Sequence, residues 1–86
     1  MATVITVPNG KPAPPDTPNP TNGKYPDKQF ANGFWMASHG VWAWFACSSR
    51  GQHLVYDAEN KQCNFVDRVY GLDDTIYIRT DSLGNW

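Results

Sequence analysis

Val41-Trp42-Ala43-Trp44-Phe45-Ala46-Cys47 is the stretch that decides the fold class. In an extended chain alternate side chains leave opposite faces. Trp42, Trp44 and Ala46 therefore share one side, and Val41, Ala43, Phe45 and Cys47 the other. Both sides are apolar, which marks a strand covered on both faces, near the middle of a small β structure. Upstream, Phe30 to Ala37 carries Phe34-Trp35-Met36 after the turn pair Asn32-Gly33, and Ser38-His39-Gly40 separates this run from Val41. Two short strands joined by a turn result.

Downstream the alternation continues. Ser48-Ser49-Arg50-Gly51 reads as a four-residue hairpin turn, and Gln52 to Ala58 pairs back with Leu54 and Tyr56 on one face. Glu59-Asn60-Lys61-Gln62 forms the next turn, and Cys63 to Tyr70 is expected as the fifth strand. Gly71-Leu72-Asp73-Asp74 turns again into Thr75 to Thr80. That run is cleanly amphipathic, with Ile76 and Ile78 inward and Tyr77 and Arg79 outward. No segment keeps a helical period over ten residues. The expectation is an all-β fold, a small antiparallel β-sandwich or barrel of five to six short strands with a Pro-rich N-terminal arm.

The arm follows from composition. All seven prolines lie at or before Pro26, and all twelve aromatic residues at or after Tyr25. Residues 1–28 are thus expected as an extended Pro-rich arm, with Thr3 to Val7 as a short edge strand or loose tail closed by Pro8-Asn9-Gly10. Residues 29–86 form the β domain. A domain of roughly 58 residues sits at the low edge of what a hydrophobic core alone stabilises. Its aromatic side chains help, because burying one large apolar group contributes about 1.5–3 kcal/mol.

Several function classes lack their sequence signals. Net charge is −1, with acidic and basic residues interspersed, so the basic stripe of a nucleic-acid binder is missing. No Lys/Arg run flanks an apolar face to support a membrane-surface role. The 21 residues from Gln29 to Ser49 carry no Asp, Glu, Lys or Arg. A transmembrane reading nevertheless fails, because Asn32-Gly33 and Ser38-His39-Gly40 interrupt the stretch with turn residues. Ala2 to Val7 is too short and polar for the apolar core of a signal peptide. The polar, Pro-rich residues beyond it resemble the front of a mature secreted protein.

Cys47 ends one strand and Cys63 begins another after one intervening strand, so a disulfide is expected, with two free buried thiols as the alternative. A bridge there would add about 3 kcal/mol in the chain-entropy account. Adding His39 and His53 gives two Cys and two His without zinc-ligand spacing, so no metal or cofactor is expected. His39, Glu59, Arg68 and Arg79 form at most a thin acid–base–phosphate set, and His39 in Ser-His-Gly reads as a turn residue. Asp73-Asp74 is turn chemistry. No enzyme is expected.

The aromatics are the better lead. With their face open, Trp42 and Trp44 make a platform for sugar rings or a protein partner; with it covered, they are core. Tyr77 and Arg79, of types favoured at binding hot spots, are the other candidate contacts.

Gly51 to Val66 (Gly-Gln-His-Leu-Val-Tyr-Asp-Ala-Glu-Asn-Lys-Gln-Cys-Asn-Phe-Val) runs strand, acidic turn, then a cysteine opening the next strand. It resembles the region before the fifth strand of the MAX-type effectors, the avirulence and ToxB-like proteins of plant-pathogenic fungi. The resemblance covers about a third of the chain. It implies a six-stranded β-sandwich with one disulfide, secreted and non-enzymatic, that binds host proteins. Cys63 takes the place of the cysteine at the start of the fifth strand. Cys47 lies outside the pattern, whose partner cysteine sits in the first strand. Val41 to Val66 is also similar to the final strands of the ribonuclease-like effectors of powdery mildews, which carry a helix.

The leading expectation is thus a secreted, effector-like protein, delivered into host cells or acting outside them. It binds a host protein through an edge strand, with Trp42, Trp44, Tyr77 and Arg79 in contact. The alternatives are a carbohydrate-binding module on the Trp42/Trp44 platform and a phage or viral structural protein whose arm laces onto a neighbour.

Overall fold

The computed structural model describes residues 2–47 and 52–86. Among them are seven strands and one helical turn: β1 Thr3–Pro8, β2 Gly23–Pro26, β3 Gly33–Ser38, β4 Val41–Ala46, β5 Leu54–Asp57, β6 Gln62–Phe65, α1 Val66–Val69 and β7 Thr75–Thr80. The strands form three small sheets, β1-β7, β2-β3-β4 and β5-β6, with no closed barrel. The all-β class expected from alternation is what the chain adopts. The antiparallel expectation needs a correction, because β1 and β7 run parallel, Thr3 opposite Thr75 through Pro8 opposite Thr80.

β3 and β4 form the hairpin read from Ser38-His39-Gly40, with Ser38 opposite Val41. His39 and Gly40 both take positive φ, 52° and 79°, the two-residue turn whose twist matches the strands it joins. The His39 N–H donates to Asn22 Oδ1 at 3.0 Å, fixing this turn to the approach of β2. β2 then pairs antiparallel with β3, Tyr25 opposite Trp35. Within the first 28 residues, then, Thr3–Pro8 and Gly23–Pro26 are strands, and residues 10–22 between them have no regular structure. The turn read at Ser48–Gly51 lies outside the described residues.

The expected fifth strand, Cys63 to Tyr70, is corrected as well. Extended structure stops at Phe65, and Val66–Val69 makes one helical turn closed by Tyr70 N–H to Val66 C=O at 2.8 Å. The reason is packing. As a strand, Val66 and Val69 would face opposite sides. In a helical turn the i, i+3, i+4 spacing gathers Val66, Val69 and Tyr70 onto one core and leaves Asp67 and Arg68 in solvent. That core is Val55, Ile76 and Ile78, flanked by Val4, Ala31, Val66, Val69, Tyr70 and Trp86. Ile76 and Ile78 point inward as their alternation requires.

The sheets meet at Ala31-Asn32. Ala31 N–H donates to Tyr77 C=O, Tyr56 N–H to Ala31 C=O and Cys47 N–H to Asn32 C=O, each at 2.8 Å. The Asn32 side chain, 1 % exposed, accepts Arg79 N–H at 2.9 Å and donates to Arg79 C=O at 2.7 Å. Two residues thus tie β7, β5 and the end of β4 together. A Cys47–Cys63 disulfide, Cα atoms 5.6 Å apart, adds a covalent link between β4 and β6.

Candidate protein-binding surface

Strand pairing decides where a partner finds free backbone. In the β1-β7 pair Thr3 N–H donates to Asp74 C=O and, just past the strand, Asn9 N–H to Thr80 C=O, both at 2.8 Å. Odd-numbered residues of β1 therefore aim their amides at β7, and Val4 and Thr6 aim theirs away. β1 has no second neighbour among the described residues. β7 differs, because Ala31 and Asn32 occupy its other side from Tyr77 to Arg79. The open edge of this sheet is β1. It is uncharged from Thr3 to Val7, without the lysine or mid-strand proline that commonly blunts an edge.

Across the outer face of the β1-β7 pair, from Val7 of β1 over Tyr77 to the segment that covers the far side of β7, lies a groove of about 380 Å³ lined by Val7, Lys28, Gln29, Phe30 and Tyr77. Ile5 and Tyr77 stand opposite each other on the outer face and are 39 % and 49 % exposed. Phe30 is buried at the groove's inner end, where Gly10 accommodates it: a Cβ at Gly10 would stand 2.6 Å from the Phe30 ring. Glycine at position 10 is required by this close approach.

The residues singled out in the sequence fall into two groups. Tyr77 is exposed and belongs to the groove. Arg79 turns back into the molecule: its Nε donates to Gly10 C=O and its guanidinium stands 5.4 Å from the Trp44 ring. Trp44 is half-buried, packs over Gly33, and donates its indole N–H to Asp27 Oδ2 at 2.7 Å. Trp42 is half-buried and meets Tyr25 and Trp35 edge-on, at 5.1 Å and 6.4 Å between centroids. The two indoles are therefore engaged by neighbours rather than laid flat as a shared platform. Cys47 and Cys63 serve the covalent link.

The opposite face of β2-β3-β4 is more open. Phe34 stacks on Phe45 at 5.8 Å and on buried Tyr56 at 5.0 Å, while Phe45 and Val41 are 46 % and 65 % exposed. Burial pushes the Tyr56 hydroxyl above its ordinary pKa, and the Asp57 charge adds to the effect. Tyr70 is raised for the same first reason, with Asp74 as the second. His39, Glu59, Arg68 and Arg79 lie on four separate elements, the β3-β4 turn, the β5-β6 turn, α1 and β7. Among the described residues no three His, Cys, Asp or Glu side chains gather as metal ligands, and no helix is long and apolar enough to cross a membrane.

Sequence reasoning missed the contributions of Lys28, Gln29, Phe30 and Asn32. Asn32-Gly33 reads as a turn pair, and nothing local announces that the Asn32 amide reaches a strand 47 positions away. Thr3 to Val7 reads from its β-prone run as a short edge strand or a loose tail, and β1 spans Thr3–Pro8. Compared with protein-family models, curated proteins and solved structures, the chain finds no match in any of the three.

Proposed function

We propose that this protein is a non-catalytic binding module that takes an extended segment of a partner protein onto the free edge of β1. Main-chain hydrogen bonds to Val4 and Thr6 supply affinity. The groove of Val7, Phe30 and Tyr77 receives one of the partner's alternate side chains and supplies selectivity. The observation that carries this reading is an uncharged β1 edge with no second neighbour among the described residues, on a sheet whose outer face carries an apolar groove. The wider proposal is a secreted, effector-like protein whose partner is a host protein. The small β-rich fold and its disulfide support that setting, because such cross-links persist in oxidising compartments.

Proline placement provides the test. Thr6→Pro removes an amide that faces away from β7, so the β1-β7 ladder survives while the edge loses a donor. Random ten-residue peptides selected on the wild-type protein should bind the Thr6→Pro variant about two- to tenfold more weakly, the cost of a lost interfacial hydrogen bond. Tyr77→Ala should weaken them as well. Selected peptides that bind Thr6→Pro as tightly as wild type would sink the edge proposal.

A further inference from the structure

Trp35 lies on the central strand of β2-β3-β4 and is 7 % exposed. Its indole N–H is closed to solvent and has no acceptor among the described residues. A buried donor without a partner is costly, so the surroundings matter. Trp35 lines a slot of about 280 Å³, with Pro14 and Pro15 on one wall and Pro26 and Lys28 on another. The slot shares only Lys28 and Gln29 with the Tyr77 groove, so this inference goes beyond the β1 edge and does not rest on it.

Polar accounting around the slot defines what fits. Asp27 Oδ1 already accepts Gln29 N–H at 2.8 Å, and Asp27 Oδ2 accepts the Trp44 indole N–H at 2.7 Å. Gln29 Oε1 accepts Ala13 N–H at 3.2 Å. Each of these side-chain oxygens already accepts one hydrogen bond, and the buried group left wholly without a partner is a donor. Only the exposed Asp16 carboxylate on the rim stands apart from this pattern. The complementary ligand is compact, apolar, rich in acceptors and poor in donors. A sugar brings a donor with each hydroxyl, which the buried indole N–H cannot use. A polyproline tract has no backbone N–H, unpaired carbonyls and apolar rings. The slot's own walls are already proline rings.

We infer that the Trp35 slot is a docking site for a proline-rich segment of a partner protein. The partner's rings lie between Pro14-Pro15 and Pro26, and the Trp35 indole N–H donates to one of its carbonyls. The wall formed by Ala13 to Asp16 yields to admit that carbonyl. It is joined to the opposite wall through the single exposed Ala13–Gln29 hydrogen bond.

An acetylated, amidated octaproline, titrated into isotope-labelled protein with the disulfide intact, tests this. The Trp35 indole cross-peak is assigned in the wild-type protein by through-bond correlation to the sequentially assigned Trp35 backbone. The expected result is a saturable downfield shift of that cross-peak, with the indole proton entering a hydrogen bond. Trp35→Phe should weaken binding of a labelled octaproline about tenfold, and Thr6→Pro should leave it unchanged. A Trp35 cross-peak that stays in place at millimolar octaproline overturns the inference. So does an equal response to a Gly-Ser peptide of the same length or to chitohexaose. The wild-type titration decides the matter even if Trp35→Phe fails to fold.

Discussion

Asn32 does with one side chain what a neighbouring strand does with its backbone. Its amide accepts Arg79 N–H and donates to Arg79 C=O, closing the edge of β7 in a place with almost no solvent access. Asn32→Ala strands both Arg79 groups, so urea denaturation should show a loss of about 2–6 kcal/mol, since each unmet buried group costs about 1–3 kcal/mol. Asn32→Asp is more instructive. It keeps the acceptor but turns a carboxylate oxygen toward Arg79 C=O, which favours the protonated acid and raises its folded pKa above the unfolded value. Relative to wild type, the stability of that variant should be greatest below the ordinary aspartate pKa of about 3.9 and fall as pH rises through the raised folded value. Gly33 is fixed by sterics instead. A Cβ there would overlap the Trp44 indole, so Gly33→Ala should cost about 1–3 kcal/mol by overpacking and shift the Trp44 fluorescence. Both residues read as a plain turn pair because their partners lie on β4 and β7.

Among the elements, β7 was legible and the end of β6 was not. Ile76 and Ile78 alternate with polar neighbours over six residues, a pattern with one reading, and both are buried. Cys63 to Tyr70 mixes apolar and charged residues with no clean period, and the Val55–Ile76–Ile78 core decides its shape. Two turns carry the acid sensitivity. Asp57 is held below the usual aspartate range, first by the Asn60 side-chain amide and then by the backbone N–H groups of Asn60 and Glu59. Asp81 is lowered first by the backbone N–H of Asn85, with Leu83, the Asn85 side chain and Gly84 adding to it. Burial opposes both shifts. A depressed folded pKa gives stability that is present above about pH 3.9 and lost as pH falls through the folded value. Carboxyl chemical shifts followed through an acid titration should show both groups titrating below that value. Asp57→Asn and Asp81→Asn should each flatten the acid side of the stability curve.

For the whole molecule, class and cross-link were readable in advance and connectivity was not. Alternation and the absence of a helical period pointed to β structure, and Cys47 and Cys63 bracket the strand between β4 and β6 as a bridge requires. The parallel pairing of β1 with β7 left no local trace, because the first strand's amphipathicity is the same whichever strand it joins. Replacing both cysteines by alanine should lower unfolding stability by about 3 kcal/mol, measurable as a reduced denaturation midpoint with a somewhat steeper slope, because the uncrosslinked denatured chain exposes more surface. That same β1-β7 pair has a consequence for biosynthesis. Thr3 to Pro8 leaves the ribosome before the other strands described, and its neighbour among the described residues, Thr75 to Thr80, leaves after them. The hairpins β3-β4 and β5-β6 can close as they emerge, but the nascent chain carries β1 without its β7 partner until Thr75–Thr80 has emerged. The same edge proposed here for a partner is therefore the segment on which a holding chaperone would first act.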